Sequence, residues 1–461
     1  MSKVVDLLRE AVNSEEKEYT SGSINRAIVL LSIPMILEMV MEALFAIVDV
    51  FFVSKISVNA VATVGLTESV LTLVYSVAIG MSMAATAMVA RRVGENNPEA
   101  AAVAAVQSIF IAIGLSVLIG IPGFLFADDI LRFMGASEQL IVEGAHYTRI
   151  VLGGNMVVMM LFLLNGVFRG AGDASIAMRV LIIANGLNIV LGPMLIFGIG
   201  PFPEMGLQGA AVATVCGRGV GVLLQFYYLF KGVGVVKIAR RHFVAVWDII
   251  AQLLRVGSTG ALQFLIASAS WIFLTRIVAK FGSDAVAGYT IAIRIIMFTT
   301  LPSWGLSNAA ATLVGQNLGA NQPERAETSV WRASFFNMLF LLTLSIGLFF
   351  GAEPIVRIFN DSETVVEAGV LSLRILSAGY IFWAYGMVII QSFNGAGDTV
   401  TPTIINLICF WALEIPLGYL LAITLGWGIA GVTAAVTISE SIWAVVAIII
   451  FKQGRWKKVK I

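Results

Sequence analysis

The sequence predicts an all-α integral membrane protein with twelve transmembrane helices in two six-helix lobes, related by a pseudo-two-fold axis along the membrane normal. Three observations predict it. Of 461 residues, 59% are hydrophobic and only 12% are charged, with mean hydropathy +0.93. A soluble domain carries about 25% charged residues, and half that charge cannot clothe a water-facing surface. Twelve apolar stretches are long enough to span, a crossing helix needing about 20 residues. Finally, the chain repeats itself.

The elements follow in order. Residues 1–25 carry Glu10, Glu15, Glu16 and Glu18 and no apolar core, unlike a signal peptide. Val4, Val5, Leu7, Leu8 and Val12 suit either a short interfacial helix or a frayed tail. The spans fall near 27–53, 60–86, 102–127, 144–166, 176–199, 207–230, 248–275, 285–313, 332–352, 368–391, 403–425 and 429–451. Basic residues set the orientation. Lys3, Arg9, Lys17, Arg26, Arg91, Arg92, Arg169, Arg179, Lys231, Lys237, Arg240, Arg241, Arg325 and Arg332 mark the N-terminus and every second loop, and the end of the chain is basic too. Both termini are therefore expected in the cytoplasm, which requires an even number of spans.

The repeat is the strongest signal. Gly94, Asn96, Pro98 and Glu99 recur as Gly319, Asn321, Pro323 and Glu324. Arg132, Glu138 and Arg149 recur as Arg357, Glu363 and Arg374, and Gly170-Ala171-Gly172-Asp173 recurs as Gly395-Ala396-Gly397-Asp398, every pair 225 residues apart (398 − 173). Six spans per copy send both copies into the membrane in the same direction. The expected organisation is a cytoplasmic segment 1–25, a first lobe 26–230, a cytoplasmic linker 231–247, a second lobe 248–452 and a basic cytoplasmic tail 453–461.

Several function classes drop out. A net charge of +1 gives no footprint for nucleic acid. Cys216 and Cys409 lie in apolar runs, and His146 and His242 are far apart, so neither a metal centre nor a cofactor is expected. No nucleophile–base constellation supports an enzyme. Two like bundles can instead rock about a central cleft and open it to alternate sides, as a transporter does. With no phosphate-binding G-x-x-x-x-G-K-[ST] loop, the drive is expected to be an ion gradient.

The first span carries the chemistry. At about 100° per residue, with Glu38 set at 0°, Glu42 falls near 40°, Phe45 near −20° and Asp49 near 20°. Three acids and a ring share one stripe, with no base in that span beyond Arg26. A charge at the bilayer centre costs about 2.5–3.5 kcal/mol on insertion scales, so the stripe should line a cavity and exchange a proton or cation. Pro34, one turn before Glu38, is a candidate hinge. Glu414 is a candidate counterpart acid in the second lobe. Asn165, Asn185 and Asn188 could ligate a cation or a drug, or bond between helices. Glu68 and Arg294 suggest a pair between the halves, whereas Arg218 and Glu440, at equivalent repeat positions, suggest packing. The Gly-Ala-Gly-Asp loops suggest tight turns rather than phosphate cradles.

Taken in order, Ser32-Ile33-Pro34, Val48-Asp49, Arg91-Arg92-Val93-Gly94, Arg169-Gly170-Ala171-Gly172-Asp173 and Gly315-Gln316-Asn317-Leu318-Gly319-Ala320 with Pro323-Glu324-Arg325 resemble the multidrug and toxic compound extrusion (MATE) family over nearly the full length. The resemblance implies a prokaryotic, multi-pass, cytoplasmic (inner) membrane antiporter, expected to be monomeric, that exports cationic amphipathic drugs in exchange for H⁺ or Na⁺. It implies cation or proton coupling at Asp49, Asn188 and Thr214, with Glu38 and Glu42 as extra acids, and a Na⁺ site at Asp49, Asn188 and Thr214 if sodium is used. It implies substrate contacts at Glu42, Phe45 and Asn165, to which the residue reading adds Glu414, and bending at Pro34. Gly192 stands where a second chelating aspartate is usual, which favours H⁺ over Na⁺. A lipid-linked oligosaccharide flippase of the same superfamily is the alternative. Substrate and ion are expected to compete for the acidic stripe.

Overall fold

The computed structural model describes residues 8–12 and 19–461. Among them, ten helices are long and apolar enough to cross a membrane, and an eleventh span is a pair of helices bent by 56°. The acid-bearing Ile24–Ser54 completes twelve. In chain order they are α1 (Ile24–Ser54), α2 (Val58–Gly94), α3 (Pro98–Leu125), α4 (Glu138–Ala171), α5 (Ala174–Phe197), α6 (Leu207–Lys231), α7 (Trp247–Val278), α8 (Ser283–Gly319), α9 (Pro323–Phe350), α10 (Glu363–Ala378 with Tyr380–Ala396), α11 (Val400–Thr424) and α12 (Gly428–Lys452). The chain is a multi-pass membrane protein. Lys3, Val4, Val5, Leu7, Glu15, Glu16, Lys17 and Glu18 lie outside the described residues; residues 8–12 are helical, and the Val12 carbonyl accepts from Arg179 at 2.7 Å.

Local chemistry sets the helix ends. Ser57 caps α2 by accepting from the Ala60 amide, and Asn97 caps α3 with Pro98 at the first helical position. The Gly-Ala-Gly-Asp loops are tight turns. Gly172 (φ 86°) and Gly397 (φ 87°) take the left-handed conformation that a side chain would oppose. Asp173 then accepts the Val235 amide at 2.6 Å, and Asp398 accepts the Thr401 amide at 3.1 Å.

The duplicated sequence folds into duplicated contacts. Asn96 (φ 55°) and Asn321 (φ 57°) are the non-glycine residues with positive φ among those described. Arg149 Nε donates to the Phe124 carbonyl at 3.1 Å, and Arg374 Nε to the Phe349 carbonyl at 3.1 Å. Arg132 grips Glu138 as Arg357 grips Glu363. The pseudo-axis passes where α2 crosses α8. A Cβ on Gly94 would strike the backbone of Gln316, and one on Gly319 would strike the Arg91 carbonyl, its repeat equivalent.

The lobes are α1–α6 and α7–α12, and they meet on the side that holds the termini. Among the described residues, hydrogen bonds between the lobes are confined there. Thr312 donates to the Arg169 carbonyl at 3.1 Å, Gln316 to Gly170 at 3.0 Å and Arg91 to Ala396 at 3.3 Å. The first turns of α1 share a core with the second lobe: Ile28, Leu31 and Met35 cluster with Leu306, Leu313 and Val388. Past Ile36, whose backbone still abuts Gly305 of α8, α1 ties to the first lobe, where the Met41 carbonyl accepts from Asn185 at 3.1 Å. The linker is clamped to α3, Gln107 holding Val244 and Val246 at 3.0 Å each. With the lobes closed at the termini side, a cavity remains between them.

Candidate functional site

The cavity has two adjoining chambers that share Met83, Phe264, Met297, Trp304 and Gln391 as partition. The first-lobe chamber, about 300 Å³, is lined by Glu38, Glu42, Ser82, Asn165 and Arg169 among others. The stripe periodicity thus does bring Glu38 and Glu42 to a cavity wall. Phe45 is buried beneath them, and Asp49 is half-buried one helical turn beyond.

Bases from other helices reach two of the acids, against the expectation of an unpaired stripe. Glu38, 1% exposed, accepts from Arg169 Nη1 at 2.8 Å and from the Asn165 amide at 3.2 Å. Arg169 also donates to Ser82 Oγ at 2.7 Å, and Gln225 orients Asn165 by donating to its Oδ1 at 2.7 Å. Arg169, counted from sequence as a loop base, therefore lies inside the lobe, 9% exposed. Glu42 accepts from Arg218 Nη2 at 3.3 Å, and the Arg218 guanidinium also sits 4.9 Å from the centre of the Phe45 ring. Arg218 is thus a site residue rather than a packing residue. A lone arginine in the apolar run of α6 was the signal, since such a charge needs an acid from another helix.

Asp49 differs from its neighbours. Among the described residues it has no ion pair or hydrogen bond, while the charges of Glu68 and Arg218 act on it at longer range. Asn188 donates to Thr214 Oγ1 at 3.1 Å, so those two residues are together, but neither bonds Asp49. Asn185, one turn before Asn188 on α5, bonds that helix to α1 through the Met41 carbonyl. Glu68 and Arg294 do not form the expected pair. Both are exposed, and no ion pair joins them among the described residues.

Glu414 is not in this chamber. It is buried on α11, in a wide π-helical stretch over Leu407–Glu414. Glu440 on α12, assigned to packing from sequence, instead lines the second-lobe chamber. The repeat relation of Arg218 and Glu440 carries opposite charges into equivalent places, which residue type alone did not disclose.

Residues 34–194 and 261–420 match the family model described as MatE. The chain is similar to a probable multidrug resistance protein NorM of Thermotoga maritima, 29% identical over 435 residues and 94% of each chain. It is also similar to a FAD transporter of Shewanella oneidensis, 27% identical over 402 residues, 87% of this chain and 88% of that one. A solved structure described as the outward-facing conformation of a multidrug resistance MATE family transporter of the MOP superfamily superposes with a TM-score of 0.90 at 28% identity, covering 96% of this chain and 99% of the other. The matched segments fall one in each repeat and take in both α1 from Pro34 onward and the partition of the cavity, so the chain belongs to the MATE family.

Proposed function

We propose that the protein is a secondary multidrug exporter of the cytoplasmic (inner) membrane, with both termini in the cytoplasm. It expels cationic amphipathic compounds in exchange for H⁺ or Na⁺ by alternating access. The observation that carries this reading is Asp49. It stands in the first lobe of a duplicated bundle whose termini side is sealed, and it alone of the three stripe acids keeps a carboxylate without an ion-pair partner among the described residues. Glu38 and Glu42 are held by arginines, which leaves Asp49 as the group best able to take up a proton or a sodium ion arriving from the open side. Asn188 and Thr214 supply neutral oxygens on neighbouring helices, and Glu68 supplies a second negative field.

Binding an ion at Asp49 removes a charge that acts on Arg218. Arg218 in turn holds Glu42 and Phe45, the substrate-side positions. Ion and substrate thereby compete through the Arg218 contacts rather than through one shared carboxylate. Pro34 lies where α1 passes from second-lobe packing to first-lobe packing, the place where rocking lobes would bend it. Export of an anionic dinucleotide, as the name of the Shewanella relative suggests, would call on Arg169 and Arg218. Both already grip carboxylates, which argues against it.

The test is efflux from proteoliposomes under a pH gradient alone and then a Na⁺ gradient alone. The expected result is substrate movement driven by one gradient and lost in Asp49→Asn. Coupled transport that survives Asp49→Asn would overturn the assignment.

A further inference from the structure

The second lobe carries a groove on its outer surface that the exchange scheme leaves unused. It lies between α7 and α11 at the end away from the termini and measures about 620 Å³. Phe273, Ile415, Tyr419 and Leu420 make its apolar wall. The groove opens away from the central cavity. At about 100° per residue along α7, with the chamber residue Ala267 at 0°, Gln263, Phe264 and Trp271 fall within about 60° of it and line the same chamber. Phe273 falls near −120° and Arg276 near 180°, on the side that meets lipid.

Arg276 and Lys280 line this groove, both exposed, and neither has an ion pair or a hydrogen bond among the described residues. Other bases on that side are paired. Arg132 holds Asp129 and Glu138, Arg149 holds Asp128, and Arg357 holds Glu353 and Glu363. Asp284, the nearest acid along the chain, accepts instead from Thr364 at 2.6 Å.

The first lobe lacks this pair of bases. Lys280 repeats Lys55 and Arg276 repeats Phe51, each 225 residues apart (280 − 55, 276 − 51). Lys55 rests over the Phe51 ring at 5.2 Å, whereas Lys280 leans across to the Tyr419 ring of α11 at 5.0 Å. Between α1 and α5 the Phe52 and Phe197 rings stand 6.5 Å apart, and the equivalent places on α7 and α11 hold the smaller Ile277 and Ala422. Helix α5 is α-helical throughout, but α11 winds wide over Leu407–Glu414 and Leu420–Thr424.

Two positive charges one turn apart beside an apolar trough call for an anion with an apolar body. Snorkelling to water accounts for a single base at a membrane edge, but not for a second one about 6 Å deeper. The guanidinium fork of arginine matches a phosphate, and lysine meets it as a point charge. We propose that the groove binds one anionic phospholipid of the leaflet away from the termini, its phosphate between Arg276 and Lys280 and an acyl chain along Phe273, Ile415 and Leu420. The long apolar wall selects a lipid over a free phosphate ion.

The probe is phosphatidylglycerol, with phosphatidylcholine of the same acyl chains as control. Each is titrated into the delipidated full chain in detergent, and bound lipids are counted by native mass spectrometry. The expected result is one phosphatidylglycerol held more tightly than phosphatidylcholine. Its affinity should fall about fivefold in Arg276→Gln or Lys280→Gln and about thirtyfold in the double variant. Both side chains are exposed and unpaired, so these variants should fold. Leu420→Trp, which fills the trough and keeps both charges, should weaken binding as well. Equal retention of the two lipids, an unchanged titration in the double variant, or an equal loss in Lys55→Gln would each overturn the proposal. Wild-type binding in Leu420→Trp, with lipid displaced by an equal concentration of inorganic phosphate, would make this a free-anion site and overturn it too.

Discussion

Glu38 and Glu42 sit one helical turn apart on α1, yet each answers to a different helix, Arg169 on α4 and Arg218 on α6. Removing one partner of such a buried pair leaves the other uncompensated and costs about 3–5 kcal/mol, whereas removing both together is often nearly neutral. Arg169→Met should therefore lower the thermal stability of the purified protein sharply, and Glu38→Gln with Arg169→Met should recover most of the loss. A double variant as unstable as the single one would mean that Arg169 matters for packing rather than for charge. Glu38 was legible in the sequence as a cavity-facing acid because periodicity reports which face a residue occupies. Its partner was not, because Arg169 is 131 positions away and periodicity is silent about contacts at that range.

Helix α1 is continuous over Ile24–Ser54 but changes packing partner just after Pro34. Its first turns are buried with Leu306 and Leu313 of the second lobe, and its later turns bond Asn185 and Arg169 of the first. A proline at that junction removes one backbone hydrogen bond and lowers resistance to bending. Pro34→Ala restores a bond of about 1 kcal/mol, so it should raise thermal stability while slowing proteoliposome efflux. A rise or fall in both quantities together would place the function of Pro34 elsewhere. The spans of the other helices were visible from apolar run length, and the tight turns at Gly172 and Gly397 were visible from the repeated Gly-Ala-Gly-Asp loops. The π-helical turn of α11 over Leu407–Glu414 was not, since its residues form an ordinary apolar run.

In the whole molecule, the lobes are strapped shut on the termini side. Arg91 donates to the Val459 carbonyl at 3.1 Å and Arg92 to Ile461 at 3.2 Å, while Lys457 grips Glu327 at 2.6 Å. Trp456 is fully buried and stacked on Phe451 with ring centres 4.6 Å apart. The last residues, emerging from the second lobe, are thus held by arginines of the first. Ending the chain after Lys452 should raise the labelling rate of a cysteine in place of Thr312, which is fully buried between the lobes on that side, by about tenfold, as expected when about 1.4 kcal/mol of closure is lost. An unchanged rate would show that the α2–α8 crossing holds the seal alone.

Composition, run length and the 225-residue repeat were enough to determine a membrane bundle of two like lobes with an acidic face on its first helix, because hydropathy and periodicity are properties of neighbours along the chain. Which acids are neutralised, that Asp49 is left without an ion-pair partner among the described residues, and that Glu440 faces an aromatic chamber were decided only when the helices packed. Charge pairing depends on distances between segments far apart in sequence, and a few ångströms of helix placement separate an ion pair from an open site.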